Sequence, residues 1–282
     1  LGDVYKRQAM AGALAEYFGA IEGASLEANK GAYSYAWMII FAVIAAIMVL
    51  IGLYHIRMLP SNQIPSTTKK TTSEVGRELV AVIANFFTKK HIFYYICFII
   101  LYRLAEGFIM KIAPLFLRAS REVGGLGLSL KEIGTLNGVF GSAAFVLGSL
   151  LAGIYVSKFG LKRTLFTLCC IFNLPFLAYT FLAVTQPTNV YLIGTCITME
   201  YFGYGFGFVG LTLFMMQQIA PGKHQMSHYA FASGIMNLGV MLPGMVSGYF
   251  SDLLGYRNFF IYVLIATIPA FLITYFIPFT YD

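Results

Sequence analysis

The sequence predicts an all-α, polytopic membrane protein with seven transmembrane helices. Three observations carry that prediction. The hydrophobic fraction is 59% and the charged fraction 11%, against roughly 45–50% and about 25% in soluble domains. Seven apolar runs are long enough to cross a bilayer. The basic residues gather in the gaps between those runs, as cytoplasmic loops require.

The runs fall at 33–56, 92–117, 131–156, 164–184, 190–218, 228–250 and 258–279. At 1.5 Å per helical residue each spans about 30 Å of hydrocarbon. The gaps set the orientation. Arg57, Lys69, Lys70, Arg77, Lys89, Lys90, Lys158, Lys162, Arg163 and Lys223 lie on one side; Lys30, Arg118, Arg121, Lys131 and Arg257 lie on the other. The richer side is expected in the cytoplasm, which puts the C-terminus inside. The net charge of +7 therefore reads as topology, and no nucleic-acid partner is expected.

The segment between the first two runs divides in two. Residues 60–72 are rich in Pro, Ser, Thr and Lys, a flexible linker. Thr71 and Glu74 have capping-box spacing, and Leu79, Val82, Ile83, Phe86 and Phe87 form an apolar stripe. An amphipathic helix on the inner membrane surface is expected, with an extension of the second span as the alternative.

Residues 1–8 resemble translated sequencing-adapter sequence and are set aside as a scar. The chain is then expected to be a fragment whose N-terminal half is missing. Gly12 to Gly19 repeats the spacing of Gly248 to Gly255, a faint internal duplication.

The second span holds Arg103, Glu106 and Lys111. Charges within hydrocarbon cost about 2.5–3.5 kcal/mol each on insertion scales, so all three should face protein or a water-filled cavity. They fall within an arc of about 140° on a helix of 100° per residue. Arg103 and Glu106, at i and i+3, can pair. Either they form a structural ion pair or they belong to a substrate or proton site. Glu200 lies near the middle of the fifth span. It is either a proton carrier or a neutral acid bonded to a neighbour.

Other motifs dissolve under their context. Gly205, Gly207 and Gly210 match a dinucleotide fingerprint, but within an apolar helix instead of a strand–turn–helix. Close helix packing or a local unwinding is the expected role for these glycines and the Gly203–Gly207 pair, and packing for Gly244 with Gly248 and Ser149 with Gly153. Among the neighbouring aromatic residues, one such as Tyr204 could instead stack on a sugar. Pro114, Pro175, Pro243 and Pro269 should bend their spans. His224 and His228 read as solvated loop histidines. Cys97, Cys169, Cys170 and Cys196 all fall in apolar runs without metal spacing. No metal, cofactor or enzymatic activity is expected.

The stretch Gly153 to Arg163 resembles the short cytoplasmic loop motif of the major facilitator superfamily: a first glycine, an acid, a basic residue, a second glycine and a basic pair. Gly153, Lys158, Gly160, Lys162 and Arg163 fill it, while Ser157 stands at the acidic position. Leu101 to Glu106, Glu132 to Asn137, Met199 to Gly207 and Gly248 to Tyr256 are similar to AmpG-type muropeptide permeases. The resemblance implies a twelve-helix fold, with 9–32 an external segment after a truncated helix and 33–56 the last helix of the first half. It makes 57–91 the central cytoplasmic loop and 92–279 the C-terminal six-helix bundle.

It also implies a monomeric, proton-coupled symporter in the bacterial inner membrane. Its partners would be the lipid bilayer, a proton and a small-molecule substrate, either a peptidoglycan fragment or an acetyl-coenzyme A-like solute. Glu106 and Glu200 would carry the proton; Arg103, Lys111, Asn137 and Tyr204 would bind substrate. A seven-helix receptor is the reading from another class.

Overall fold

The computed structural model describes residues 14, 17–19, 30–58 and 72–281, with the side chains of residues 72, 74 and 75 excepted. Every regular element among them is helical. The adapter-like residues 1–8 and Thr71 lie outside the described residues, as does the side chain of its expected capping partner Glu74.

Helix α1, Lys30–Met58, buries only Ala36 and Ile40. Its remaining side chains are half-buried or exposed, and most of them are apolar. Helix α2 is Thr72–Phe87, and the expected flexible linker before it lies outside the described residues. Phe86 is buried against the bundle, whereas Leu79, Ile83 and Phe87 stay exposed. His91 at φ 61 separates α2 from α3, Ile92–Tyr102, so the segment is a helix of its own and not an extension of the second span.

The second span is itself divided. Helix α3 ends at Tyr102, Arg103 has φ −103 and ψ 6, and α4 runs from Leu104–Arg118. Beyond α4 the chain folds back along the helix end. Leu126 N–H donates to Phe116 O and Leu128 N–H to Leu117 O, pairing carbonyls the helix leaves open. Arg121 donates to the carbonyls of Gln186 and Pro187 at 2.8 and 2.9 Å, tying this turn to the next one on the same end.

Helix α5, Leu130–Thr135, starts at a capping box. Ser129 Oγ accepts from Glu132 N–H, and Glu132 Oε2 accepts from Ser129 N–H. A π-helical segment, Leu136–Gly141, joins it to α6, Ser142–Phe159. Gly160 at φ 80 makes the tight turn to α7, Leu161–Asn173. Helix α8, Phe176–Thr185, continues beyond Pro175. Asn189 caps α9, Val190–Phe214, which ends in a second π-helical segment, Met215–Ile219. The last elements are α10, Gln225–Ala266, broken at Gly255 (φ 69), and α11, Ile268–Tyr275. Gly19 matches Gly255 in the internal echo and also has positive φ, 88.

Five runs among the described residues are long and apolar enough to span a membrane: 30–58, 92–118, 130–159, 161–185 and 225–275. Helix α9 has the length, but Glu200 and its Gly and Tyr residues dilute its hydropathy. The 51-residue final run turns at Gly255.

Close approach explains the glycines. Helix α9 lies between α6 and α7. A Cβ on Gly205 would meet Phe145 backbone and Ser149 Oγ, and one on Gly207 would meet the Phe172 ring. Helices α4 and α10 cross where Gly107 faces Pro243 and the Val240 carbonyl. Gly244 packs at that crossing, but Gly248 and Gly153 have nothing within 4 Å. Those two positions face away from the neighbouring helix, so they are not packing glycines as expected.

The core is in two parts. One cluster joins α4, α8 and the far limb of α10 around Phe116, Tyr179 and Phe260. The other joins α3, α7 and the end of α9 around Phe98, Leu168 and Phe214. Arg103 sits where the α3 and α4 contributions change over.

Candidate functional site

A polar layer occupies the boundary between the two apolar clusters. Arg103 and Glu106 are 4% and 5% exposed. Arg103 Nε–H donates to Glu106 Oε2 at 2.6 Å and Nη2 donates to Oε1. The pair is bidentate, the strongest geometry for guanidinium and carboxylate. Arg103 Nη2 also lies 3.5 Å from Tyr204 Oη on α9, and its guanidinium stands 5.4 Å from the Phe208 ring centre. The fork thus ties the broken span to α9.

Glu106, Asn137, Glu200 and Tyr204 line one cavity with Tyr179, Tyr201, Met110 and Pro114. Its volume is about 40 Å³. That exceeds the ~10–15 Å³ one water needs and falls far below the ~300–1,000 Å³ of a drug-sized ligand pocket. The cavity suits water or a proton, not a sugar-peptide. Asn137 is 2% exposed, and its Oδ1 has no hydrogen-bond partner. The π-helical register carries it: an extra residue per turn re-aims the side chains of Leu136–Gly141.

The structure therefore brings four of the six predicted proton and substrate residues to one cavity, with Arg103 joined through Glu106. Lys111 is not among them. It is exposed, with its stem against Gly244. Five residues beyond Glu106 is about 140° around the helix, off the cavity side. The break at Arg103 further dissolves the single helical face on which the three charges were expected.

Lys158, Lys162 and Arg163 are exposed around Gly160, and Thr164 Oγ1 donates to Gly160 O at 2.9 Å. His228, expected in solvent, is fully buried. Its Nε2 lies 3.3 Å from Val82 O, and its ring packs beside Phe86. The amphipathic helix covers it, a contact no loop composition announces. Among the described residues no group of three His, Cys, Asp or Glu converges as a metal site.

Sequence reasoning missed Tyr179 in the cavity and Gln218 at the far end of α9. A tyrosine in an apolar span carries no signal of its own. Gln218 binds the last residues of the chain, accepting from Thr280 and Tyr281 N–H and donating to Tyr281 O. Lys89 closes the same end by donating to Pro221 O at 2.6 Å. Burial there lowers its ammonium below the usual lysine range.

Over 209 residues the chain is 23% identical to the anhydromuropeptide permease of Escherichia coli (strain K12), covering 74% of this chain and 41% of that protein. Over 238 residues it is 25% identical to the protein named AmpG 1 in Rickettsia bellii (strain RML369-C), covering 83% and 56%. It is 27% identical over 199 residues to AmpG 2 of Rickettsia prowazekii (strain Madrid E), covering 69% and 46%. The chain spans about half the length of these relatives. The likeness to AmpG-type proteins does not favour the receptor reading. The Major Facilitator Superfamily profile matches residues 9–219, well over half of the sequence, and the chain belongs to that superfamily.

Proposed function

We propose that this chain forms the C-terminal, six-helix part of a secondary active transporter, preceded by one helix of the other half. Counting α9 as a span and dividing the final run at Gly255 gives seven crossings. The transporter works by alternating access and couples uptake to proton entry. Its substrate class is a peptidoglycan fragment or a related sugar or peptide solute, as the names of the relatives suggest. It sits in a bacterial inner membrane with its C-terminus inside.

One observation carries this reading: two carboxyls, an amide and a tyrosine from three different spans meet at one cavity between apolar clusters. Buried ionisable groups in spans are costly and mark transport paths or proton relays. Glu106 is neutralised by Arg103, which leaves Glu200 as the proton carrier. The cavity is too small for the solute, so the substrate chamber lies between this bundle and a second half.

The test is uptake in cells lacking their own muropeptide permease. Expressed alone, the chain should give no concentrative uptake of a labelled muropeptide. Co-expressed with the N-terminal half of a relative, it should restore pH-driven uptake. Concentrative uptake by the chain alone would overturn the half-transporter reading.

A further inference from the structure

We infer that Asn137 holds an ordered water in the cavity beside Glu200, and that this water passes the coupling proton to and from the Glu200 carboxyl. The inference rests on the proton-coupled reading above and adds a positioning residue to it.

Asn137 Oδ1 is a buried acceptor without a partner. Leaving such a group unsatisfied costs about 1–3 kcal/mol, so buried acceptors of this kind are met by water where space allows. Space allows here: the cavity exceeds the volume of one water and has polar groups on several sides. Asn173 Oδ1, Thr212 Oγ1 and His228 Nδ1 are also unpartnered, but none lines this cavity.

The neighbouring acids are not equivalent. Both oxygens of Glu106 accept from Arg103. Glu200 does not share the Arg103 fork, and it lines the same cavity as Asn137. Asn137 also stands on a π-helical segment inside a span. Such segments are rare and concentrate at functional sites.

The transfer balances simply. A protonated water breaks one O–H bond as a carboxylate oxygen of Glu200 forms one. The remaining water keeps an O–H donated to Asn137 Oδ1. Release runs the same step backwards, and no other reactant is needed.

The experiment uses the 282-residue chain in lipid nanodiscs. Infrared difference spectra between wild type and Glu200→Gln at neutral pH identify the Glu200 COOH band. Rapid mixing into D2O then gives its exchange rate. Asn137→Val and Asn137→Thr match each other in shape, and only Thr keeps an oxygen acceptor. Exchange should slow at least tenfold in the Val variant and stay within threefold of wild type in the Thr variant. Equal rates in the two variants overturn the water assignment while leaving Glu200 as a proton carrier. Absence of a Glu200 COOH band overturns the proton-carrier reading itself. Loss of the band when sodium chloride replaces potassium chloride at fixed pH assigns the cavity to a metal cation and overturns the water. If the Val variant does not fold, Asn137→Leu against Asn137→Gln poses the same contrast.

Discussion

Arg103 occupies the non-helical position between α3 and α4 and turns its guanidinium onto Glu106, three residues later. Both are almost fully buried. At i and i+3 the two side chains lie about 60° apart around the axis, and two guanidinium nitrogens reach the one carboxylate. Gly107 N–H still reaches Arg103 O at 3.0 Å, so the unwinding is confined to one residue.

The pair should therefore be structural. Glu106→Gln leaves a buried guanidinium unmatched, at about 3–5 kcal/mol. Folded yield on gel filtration should fall sharply, and Arg103→Gln in the same chain should restore most of it. Equal yields for Glu106→Gln and wild type would contradict this assignment.

Glu200→Gln should behave otherwise. It has no charged partner to strand, so yield should hold within about twofold, as for substitutions that break no network. With the N-terminal half of a relative supplied, uphill pH-driven uptake should be lost while substrate exchange persists. If Glu106→Gln and Glu200→Gln both fold and both drive uptake along a pH gradient, neither acid carries the proton.

The charged part of the site was legible because charge inside hydrocarbon is expensive and so stands out. Arg103, Glu106 and Glu200 announce themselves in any apolar run. Asn137 emerged only through resemblance, since one amide in a span has many uses. The break at Arg103 had no signal: no glycine or proline stands there, and the apolar run reads straight through. Lys111 was grouped with the other two charges because an unbroken arc takes in its far edge, and it stands outside the cavity that Glu106 lines. His228 and Gln218 were invisible for a different reason. Their partners, Val82 and Thr280, are distant in sequence, and only the assembled bundle brings them near.

Packing glycines should separate by what faces them. Gly207→Leu drives a side chain into Phe172 and should destabilise by about 1–3 kcal/mol. Gly248→Ala, with nothing within 4 Å, should stay within about 0.5 kcal/mol. Thermal unfolding in detergent measures both. Equal shifts would mean that α9 does not pack against α7 as closely as described.

The charge bias predicts sidedness. In a background lacking the four native cysteines, a cysteine at Lys158 should react with an impermeant thiol reagent only after permeabilisation. One at Asn189 should react in intact cells. Position 158 and the Asn189 cap lie at opposite ends of the α7–α8 span. Labelling of position 158 from outside would invert the topology.

Gln218 should hold the end of the chain. Its side chain makes three hydrogen bonds to the backbone of Thr280 and Tyr281, across more than 60 residues. It is itself 2% exposed, on the π-helical segment that ends α9. Tyr95 Oη to Thr280 Oγ1 at 2.6 Å, Phe279 against Phe214 and the buried Ile277 are further anchors. Gln218→Leu keeps the bulk but removes an acceptor for two N–H groups and a donor for one carbonyl. At about 0.5–1.5 kcal/mol per bond, local opening should rise by at least tenfold. Amide exchange at residues 279–281 should accelerate accordingly, while exchange within α4 should not change. Lys89→Met removes contacts to Ile219 O and Pro221 O only, so it should leave the tail protected. Equal acceleration in both variants would show that the tail and the Lys89 contact open as one unit, and no acceleration in Gln218→Leu would assign the hold to Tyr95 and Phe279.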